Sequence, residues 1–311
     1  MKQLKTGISL VINTRNEEQN IDACIDSAKG LVSEIIVVDM ESTDKTIALA
    51  KKWGARVFSH PNIGYVEPAR QFALEKARHE WTLLMDADER LPLSLSKKFE
   101  QLKHRQNLFA VKTPHKNLFF GIWLQHTGWW PDYHFRFFRT GAITWPEGIH
   151  AKPLVTGPTL TLPAKPEYAF IHHNADDISS FLEKVNRYTS HEGGWQKPPI
   201  SIAAALKPSE KEFTFRFFTH AGYKDGTAGL VLSKIMEFYR FLEFAKYWEK
   251  SAYPEWFTSL ELRQGLKTNT TAQLEEELRE IKDSAFYRLG WAPYVWLRKL
   301  FSFLARRSSD A

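Results

Sequence analysis

The chain has 311 residues, of which 43% are hydrophobic, and it carries a net charge of +6. That length can bury one large core with additions. The single cysteine, Cys24, excludes an intramolecular disulfide and is expected in the core, and no apolar run reaches the roughly 18 to 20 residues of a membrane span. The first residues also lack the apolar region of a signal peptide, so a reducing, cytoplasmic location is expected.

Short apolar runs alternate with helix-like segments through the first third of the chain. The runs at 8–12, 34–39, 55–58 and 81–85 are predicted strands. Helical spacing of apolar residues fills the intervals at 21–28, 42–54 and 67–79, with Ser42 or Thr43 as the cap of the second helix and Gly54 as its stop. Such alternation predicts a parallel, doubly wound α/β sheet.

Polar residues follow three of these strands, at 14–18, 39–44 and 86–89. Loops that follow parallel strands converge on one edge of the sheet, so the three sets are expected to form one crevice. Asp86 and Asp88 would point to the same side at the end of a buried strand. Two neighbouring carboxylates there would suit a hard divalent ion that carries a diphosphate. An acidic strand-to-turn corner is the simpler alternative for these residues taken alone.

The three segments together, in this order and spacing, resemble the nucleotide-sugar-binding half of a family 2 glycosyltransferase with a GT-A fold. The resemblance continues through 133–139, 149–150, 171–173, 223–230 and 245–249. The last two segments are similar to bacterial lipopolysaccharide-core glucosyltransferases. The resemblance therefore implies a GT-A fold, with a mostly parallel central sheet and a helical C-terminal appendage.

Carried over residue by residue, the resemblance implies a donor site. Thr14 and Glu17 would line the base pocket, and Asp39 would hold the base or the ribose. Arg70 would approach the diphosphate, because a guanidinium suits phosphate. A solvated charge on an amphipathic helix is the equal alternative for Arg70.

The resemblance also implies a metal. Asp86 would contact the ribose and a Mg²⁺ or Mn²⁺ ion, and Asp88 would bind the ion directly. His172 is the histidine we expect near the diphosphate. His173 follows it on a strand and would point to the opposite face, so the pair cannot easily share one ion.

The resemblance does not supply a matching residue for the catalytic base. An inverting enzyme needs a carboxylate to take the proton of the acceptor hydroxyl. The related glucosyltransferases have a His-Glu pair where this chain has His150 and Ala151. Glu147 is the first substitute by position and Asp132 the second, although either acid could cap a turn beside a proline.

Three parts are expected along the chain: a GT-A domain at 1–195, an aromatic helical extension at 196–250, and C-terminal helices with a basic amphipathic tail at 251–311. Proline and charge at 196–199 and 207–212 predict a linker. Aromatic and basic residues alternate near the end, which is typical of a helix lying in lipid headgroups. A helix docked on protein is the alternative. The basic residues are Arg288, Arg298, Lys299, Arg306 and Arg307.

The function expected from these observations is inverting transfer of a hexose from a nucleoside diphosphate sugar to a saccharide. The acceptor is expected to be lipid-linked, a lipopolysaccharide core or another membrane glycan, and the protein peripheral on the inner face of the cytoplasmic membrane. A glycosyltransferase-like domain without catalysis, which only binds sugar nucleotides or glycans, is the alternative. Nothing beyond charge and aromatics suggests a nucleic-acid partner.

Overall fold

A computed structural model of the chain describes residues 4–64, 66–146, 152–191, 195, 197–258 and 261–262. The strands are β1 (Lys5–Thr14), β2 (Glu34–Asp39), β3 (Arg56–Ser59), β4 (His79–Asp86), β5 (Glu89–Arg90), β6 (Ala110–Phe119), β7 (Ile122–Trp123), β8 (Asp132–Arg139), β9 (Ile143–Thr144), β10 (Leu154–Val155), β11 (Thr159–Thr161) and β12 (Phe170–Ala175). The α-helices are α1 (Ile21–Ala28), α2 (Thr46–Lys52), α3 (Glu67–Leu74), α4 (Leu93–Leu102), α5 (Ile178–His191), α6 (Ile202–Thr214) and α7 (Gly226–Lys250).

The main sheet runs in the order β3-β2-β1-β4-β8-β6-β12-β5, with β7 and β11 paired to β6. Strands β3, β2, β1 and β4 are parallel to one another, and β6 is parallel to β12. β8 lies antiparallel between β4 and β6. This α/β arrangement, with its helical C-terminal region, is the GT-A fold class that the sequence predicts.

Apolar clusters cover both faces of the sheet, which is why the central strands read as continuous apolar runs. On one face α1 and α4 pack on alternate residues of β1 and β4, and the rings of Trp81 and Phe99 stack on Phe137 at centroid distances of 4.6 and 4.5 Å. On the other face α3 packs on Val11 and Leu84. Cys24 lies in the first cluster, as predicted.

Three local predictions are wrong. α2 begins at Thr46 and not at a Ser42 or Thr43 cap, because both hydroxyl residues bond to Asn16 instead. α3 ends at Leu74, five residues before the predicted end at His79, which already begins β4. The segment 207–212 is helical within α6, where Pro208 is tolerated because α6 packs along α7.

Helices α5 and α7 are packed on the sheet domain. Phe119 of β6, Phe181 of α5 and Leu232 of α7 are buried in one cluster. α7 begins at a tight crossing, since a Cβ on Gly229 would come within 1.9 Å of the Gly222 carbonyl oxygen. Gly229 of the 223–230 motif and its neighbour Gly222 therefore serve close backbone packing, whereas Gly226 has open space around it and a positive φ of 63°.

The opposite side of α7 exposes large apolar side chains, including Phe238 and Phe241, whose rings stack 6.4 Å apart. Across the described part of the chain, no helix is both long and apolar enough to cross a bilayer. The predicted basic tail lies outside the described residues, and the division of the chain into three parts stays a prediction.

Candidate active site

The predicted loops meet at one edge of the sheet. β1, β2 and β4 end there, and β8 begins there because it runs antiparallel to β4. The strand register pairs Thr14 with Asp39 and Asn13 with Asp86. Parallel strands thus place the three acidic segments side by side, as the sequence predicts.

The first two loops are bonded to each other. The backbone N–H of Asn16 donates to Ser42 Oγ at 2.8 Å, and the N–H of Glu17 donates to Thr46 Oγ1 at 2.8 Å. In return, the N–H of Lys45 donates to Glu18 Oε2 at 2.9 Å. Many residues of the two sequence segments therefore fix the loops, and few remain to contact a ligand.

Several residues at this edge have buried polar atoms without a hydrogen-bond partner among the described residues. These atoms include both amide atoms of Asn13, Thr14 Oγ1, Asp39 Oδ1 and Arg70 Nε. Buried polar atoms are nearly always satisfied in folded proteins, so a cluster of exceptions calls for a polar group from outside the chain. Thr14, Asp39 and Arg70 were predicted from the sequence. Asn13 was missed, although it is a polar residue inside an apolar strand.

Glu17 lies in the loop after β1, where its Oε2 accepts from Asn20 Nδ2 at 2.9 Å. Burial, and next the negative charge of Asp88, raise the pKa of Glu17 from 4.5 to about 7. A carboxyl that is partly protonated near neutral pH can both donate and accept hydrogen bonds.

Asp86 is held by two arginines. Arg70 Nη2 lies 2.8 and 3.0 Å from its two carboxylate oxygens, and Arg136 Nη2 lies 2.6 Å from Oδ2. Burial opposes ionisation of Asp86, but the charges of Arg136 and Arg70 outweigh burial and hold its pKa well below the usual range. Direct binding of a metal by Asp86 would compete with these guanidinium groups, so this role stays a prediction.

Arg136 also joins Asp86 to a second buried acid that the sequence analysis missed. Arg136 Nη2 lies 2.5 Å from Glu89 Oε1, and Glu89 Oε2 accepts from the backbone N–H of Asp86 at 3.0 Å. His115 Nε2 lies 2.9 Å from the same Glu89 Oε1. All three side chains are buried, so this network fixes the turn that carries Asp86 and Asp88. The arginine inside the apolar strand 133–138 was the available signal.

Asp88 faces a different set of cations. Its Oδ2 lies 3.4 Å from His172 Nε2 and 3.5 Å from Lys184 Nζ. Burial raises the pKa of Asp88, but His172 and Lys184 more than compensate and leave it below the usual value. Burial likewise opposes the charge of His172, and Asp88 raises the His172 pKa above its ordinary value. Lys184, on α5, was not predicted.

The donor set around Asp88 fits a Mg²⁺ or Mn²⁺ ion that takes most of its ligands from elsewhere. Asp88 Oδ1 has no hydrogen-bond partner in the described structure, and the contacts of Oδ2 are long. Within those same residues, no group of three or more His, Cys, Asp or Glu side chains could hold a metal. Mg²⁺ sites commonly use one or two carboxylates together with substrate phosphates and water.

Asp132 begins β8 at the same edge, next to the cis Trp130–Pro131 bond. Its Oδ1 lies 2.9 Å from His134 Nε2, and its Oδ2 accepts from Asn117 Nδ2 at 3.3 Å. Glu147, the first choice for the base, lies outside the described residues together with His150 and Ala151. Its role stays a prediction.

This fold and this edge define an α/β domain whose site is built from acids and arginines at strand ends. Residues 9–154 match the family described as Glycosyl transferase family 2. This segment of the chain is therefore similar to family 2 glycosyltransferases, as its sequence motifs indicate.

Several relatives share part or most of this chain. An uncharacterised glycosyltransferase of Rickettsia conorii is 39% identical over 112 residues, 35% of this chain and 39% of that protein. One of Rickettsia felis is 29% identical over 254 residues, which cover 77% of this chain and 88% of the relative. The lipopolysaccharide core biosynthesis glycosyltransferase LpsC of Rhizobium meliloti is 37% identical over 103 residues, 32% of this chain and 37% of LpsC. The matches to R. conorii and LpsC thus span less than two fifths of those proteins.

Among solved structures, glucosyl-3-phosphoglycerate synthase from Mycobacterium tuberculosis, in complex with Mn²⁺, UDP and glucosyl-3-phosphoglycerate, is 28% identical. The match covers 36% of this chain and 44% of that chain, with a TM-score of 0.30.

The buried network predicts the effect of replacing Arg136. Arg136→Met keeps the volume but leaves Asp86 and Glu89 without their shared cation, so the free energy of unfolding should fall by about 3–5 kcal/mol. Chemical denaturation measures this, with Arg187→Met on the exposed face of α5 as the control. Adding Glu89→Gln to Arg136→Met should restore part of the loss. A stability equal to that of Arg187→Met would contradict the network's structural role.

The raised pKa of Glu17 predicts a pH effect on stability. The unfolded carboxyl ionises near 4.5 and the folded one near 7, so the unfolded state binds fewer protons between these values and stability falls as pH rises. Glu17→Gln removes this loss and should raise the free energy of unfolding at pH 8 by about 3 kcal/mol. Urea denaturation from pH 4 to pH 8 tests it. Glu183→Gln, on the exposed face of α5, should retain the wild-type slope.

Proposed function

We propose that this protein transfers a hexose from a nucleoside diphosphate sugar to a saccharide hydroxyl, with inversion at the anomeric carbon and with Mg²⁺ or Mn²⁺. The observation that carries the proposal is the group of unpaired buried polar atoms on Asn13, Thr14 and Asp39, beside Asp86 and Asp88. The family 2 match over residues 9–154 supports the reaction class.

The nucleoside would occupy the end of β1 and β2. Asp39 Oδ1 and Thr14 Oγ1 can accept hydrogen bonds there, and the Asn13 amide can both donate and accept. Glu17, with its raised pKa, would add a donor or acceptor at the rim. These groups offer the complementarity that a base and a ribose require.

The diphosphate would lie towards Asp88. Arg70 Nε is a buried donor without a partner in the described part of the chain, and Lys184 and His172 are cationic groups within 3.5 Å of Asp88. Asp88, with Asp86 beside it, would hold the metal, which as a Lewis acid offsets charge on the leaving diphosphate. Arg70, His172 and Lys184 would then orient the leaving group and share its charge.

The rival function is sugar-nucleotide or glycan binding without catalysis. Ala151, where the related enzymes have a glutamate, favours it. Both functions require donor binding, but only the transferase releases nucleoside diphosphate. Turnover of any donor, slow hydrolysis included, therefore separates them.

Donor binding should depend on metal through Asp88. UDP-glucose, UDP-galactose and GDP-mannose, each with and without MnCl₂, form the thermal-shift panel. A donor at 100 times its dissociation constant stabilises the fold by about 2.7 kcal/mol. Asp88→Asn should fold normally, lose the Mn²⁺-dependent stabilisation and abolish transfer, while Asp26→Asn, an exposed acid paired with Lys29, should behave as wild type. Undiminished, metal-independent activity of Asp88→Asn would refute the assignment.

The acceptor is proposed to be lipid-linked, such as a lipopolysaccharide core or another membrane glycan. The basic and aromatic tail would bring the crevice to the inner face of the cytoplasmic membrane. The chain is similar over 103 residues to LpsC, a protein named for lipopolysaccharide core biosynthesis, and this similarity supports the proposed class of acceptor.

Truncation before Tyr287 should abolish sedimentation with anionic phosphatidylglycerol vesicles, because each basic residue near such a surface contributes about 1 kcal/mol. Hydrolysis of the donor should survive the truncation. Replacing Arg288, Arg298, Lys299, Arg306 and Arg307 with Gln in the full chain is the matched control for charge alone. If the truncated protein still sediments, the tail is not the membrane contact, and the exposed aromatics Phe238 and Phe241 become the next site to vary.

A further inference from the structure

Beyond β4, the sheet carries a group of aromatic and basic side chains that the proposed donor site does not use. The basic residues lie four apart on β6, so they project from one face of that strand, and two of the aromatic residues lie two apart on β8. The β8 residues are cross-strand neighbours of this part of β6. We call this group the aromatic–lysine face, and its residues are Lys112, Lys116, Trp123, Trp130, Tyr133 and Phe135.

Both ammonium groups of the face lie over aromatic rings. Lys116 Nζ is 4.8 Å from the centroid of the Trp123 ring, and Lys112 Nζ is 5.9 and 5.8 Å from the centroids of Tyr133 and Phe135. In the described part of the chain, neither lysine is paired with a carboxylate. A ring face attracts a cation but accepts no strong hydrogen bond, so the N–H donors of both lysines remain available to an anion.

The two tryptophans of the face pack edge to face and leave one donor unsatisfied. The ring centroids of Trp123 and Trp130 lie 5.1 Å apart with an interplanar angle of 88°. Trp123 Nε1 is buried and has no hydrogen-bond partner among the described residues. Because a buried indole N–H normally has an acceptor, this one calls for an oxygen from outside the chain.

The loop that carries Trp130 is held in place by residues from the second half of the chain. The Asp225 carboxylate accepts from the backbone N–H of His126 at 2.8 Å and lies 2.8 Å from His126 Nδ1. Arg216 Nη1 donates to a carbonyl of the same loop at 2.9 Å. Asp225 belongs to the 223–230 motif, so this motif anchors the loop. A loop fixed in this way loses little entropy when a ligand binds to it.

The face adjoins the end of the site that we assign to the diphosphate. Phe135 belongs to the apolar cluster on the α3 side of the sheet, together with Trp145. The guanidinium of Arg70 lies over the Trp145 ring, 5.4 Å from its centroid, and pairs with Asp86. The aromatic–lysine face therefore continues from the donor site along the α3 side of β8 and β6.

We propose that the aromatic–lysine face binds the acceptor saccharide and selects one that carries a phosphate or carboxylate group. This inference rests on the proposed function and names its acceptor class. The C–H bonds of a sugar ring carry a small positive charge and pack on the negative face of an aromatic ring. A sugar oxygen would accept from Trp123 Nε1, and the anionic group would pair with Lys116 or Lys112.

Saturation-transfer difference NMR on the full chain measures the weak binding of single sugars. Glucose, galactose and mannose are compared as the free sugar, the 6-phosphate and the uronic acid, with Mn²⁺ and saturating UDP or GDP present to fill the donor site. Anionic forms should bind about 5- to 10-fold more tightly than the neutral parent, because a charge-assisted bond forms at a half-buried lysine. The comparison of 6-phosphates with uronic acids identifies the preferred anionic group.

Variants of the face separate the two kinds of contact. Lys116→Gln should abolish the preference for anionic forms but leave the affinity for the neutral sugar, while Trp130→Ala should weaken binding of all three forms. Both variants should keep the wild-type thermal shift with the sugar nucleotide, which also reports that they are folded. Lys97→Gln on the exposed face of α4 and Trp248→Ala on α7 are the matched controls, and both should bind as the wild type does.

Equal binding of neutral and anionic sugars by the wild type would overturn the inference, and so would the absence of any saccharide binding. A preference that survives in both Lys116→Gln and Lys112→Gln would also overturn it. Inorganic phosphate that binds as tightly as the sugar phosphates would reduce the face to a simple anion site. Each of these results leaves the proposed function standing if the wild type binds a sugar nucleotide, whereas a wild type that binds none refutes the proposed function itself.

Discussion

The rest of the site depends on one buried arginine. Arg136 lies between Asp86 and Glu89, at 2.6 and 2.5 Å, in the middle of the sheet. Glu89 and Arg136 are buried charges, and the Asp86 side chain is 25% exposed. Such charges are costly to desolvate, and they persist because each is paired and bonded to backbone or to a second side chain. The ion cluster fixes the turn after β4. The position of this turn sets the position of Asp88.

Around this cluster, some polar residues fix the loops and others have atoms left to contact a ligand. The loops after β1 and β2 use most of their polar residues on one another, as the bonds between Asn16 and Ser42 and between Lys45 and Glu18 show. The polar atoms left over belong to Asn13, Thr14 and Asp39, and they are buried without partners in the described chain. Rigid loops with unsatisfied groups between them are pre-organised for a ligand, since little conformational entropy is lost on binding.

Helices α5 and α7 contribute to the edge of the sheet where the acids lie. Lys184 on α5 reaches the Asn174 carbonyl and faces Asp88. α5 is held by α7, whose Lys246 bonds to Asn186, Thr189 and Ser190 near the α5 C-terminus, where cations are favoured. The motif at 245–249 therefore supports the site through α5 and has no direct contact with the acids at the strand ends. Residues far along the chain are thus linked structurally to the acids at the strand ends.

The sequence by itself determined the strand–helix alternation, the three converging loops and the family, because periodicity and acids at strand ends are local signals. It could not determine which acids are paired with which cations. Glu89, Arg136, His115 and Lys184 come from separate elements, and only the sheet order brings them together. Local signals also misplaced the start of α2 and the end of α3, where long-range hydrogen bonds and the start of β4 decided the boundary. His134 was read as part of a motif. Its contact with Asp132, and the link from Asp132 through Asn117 to His172, appear only when three strands are assembled in the sheet.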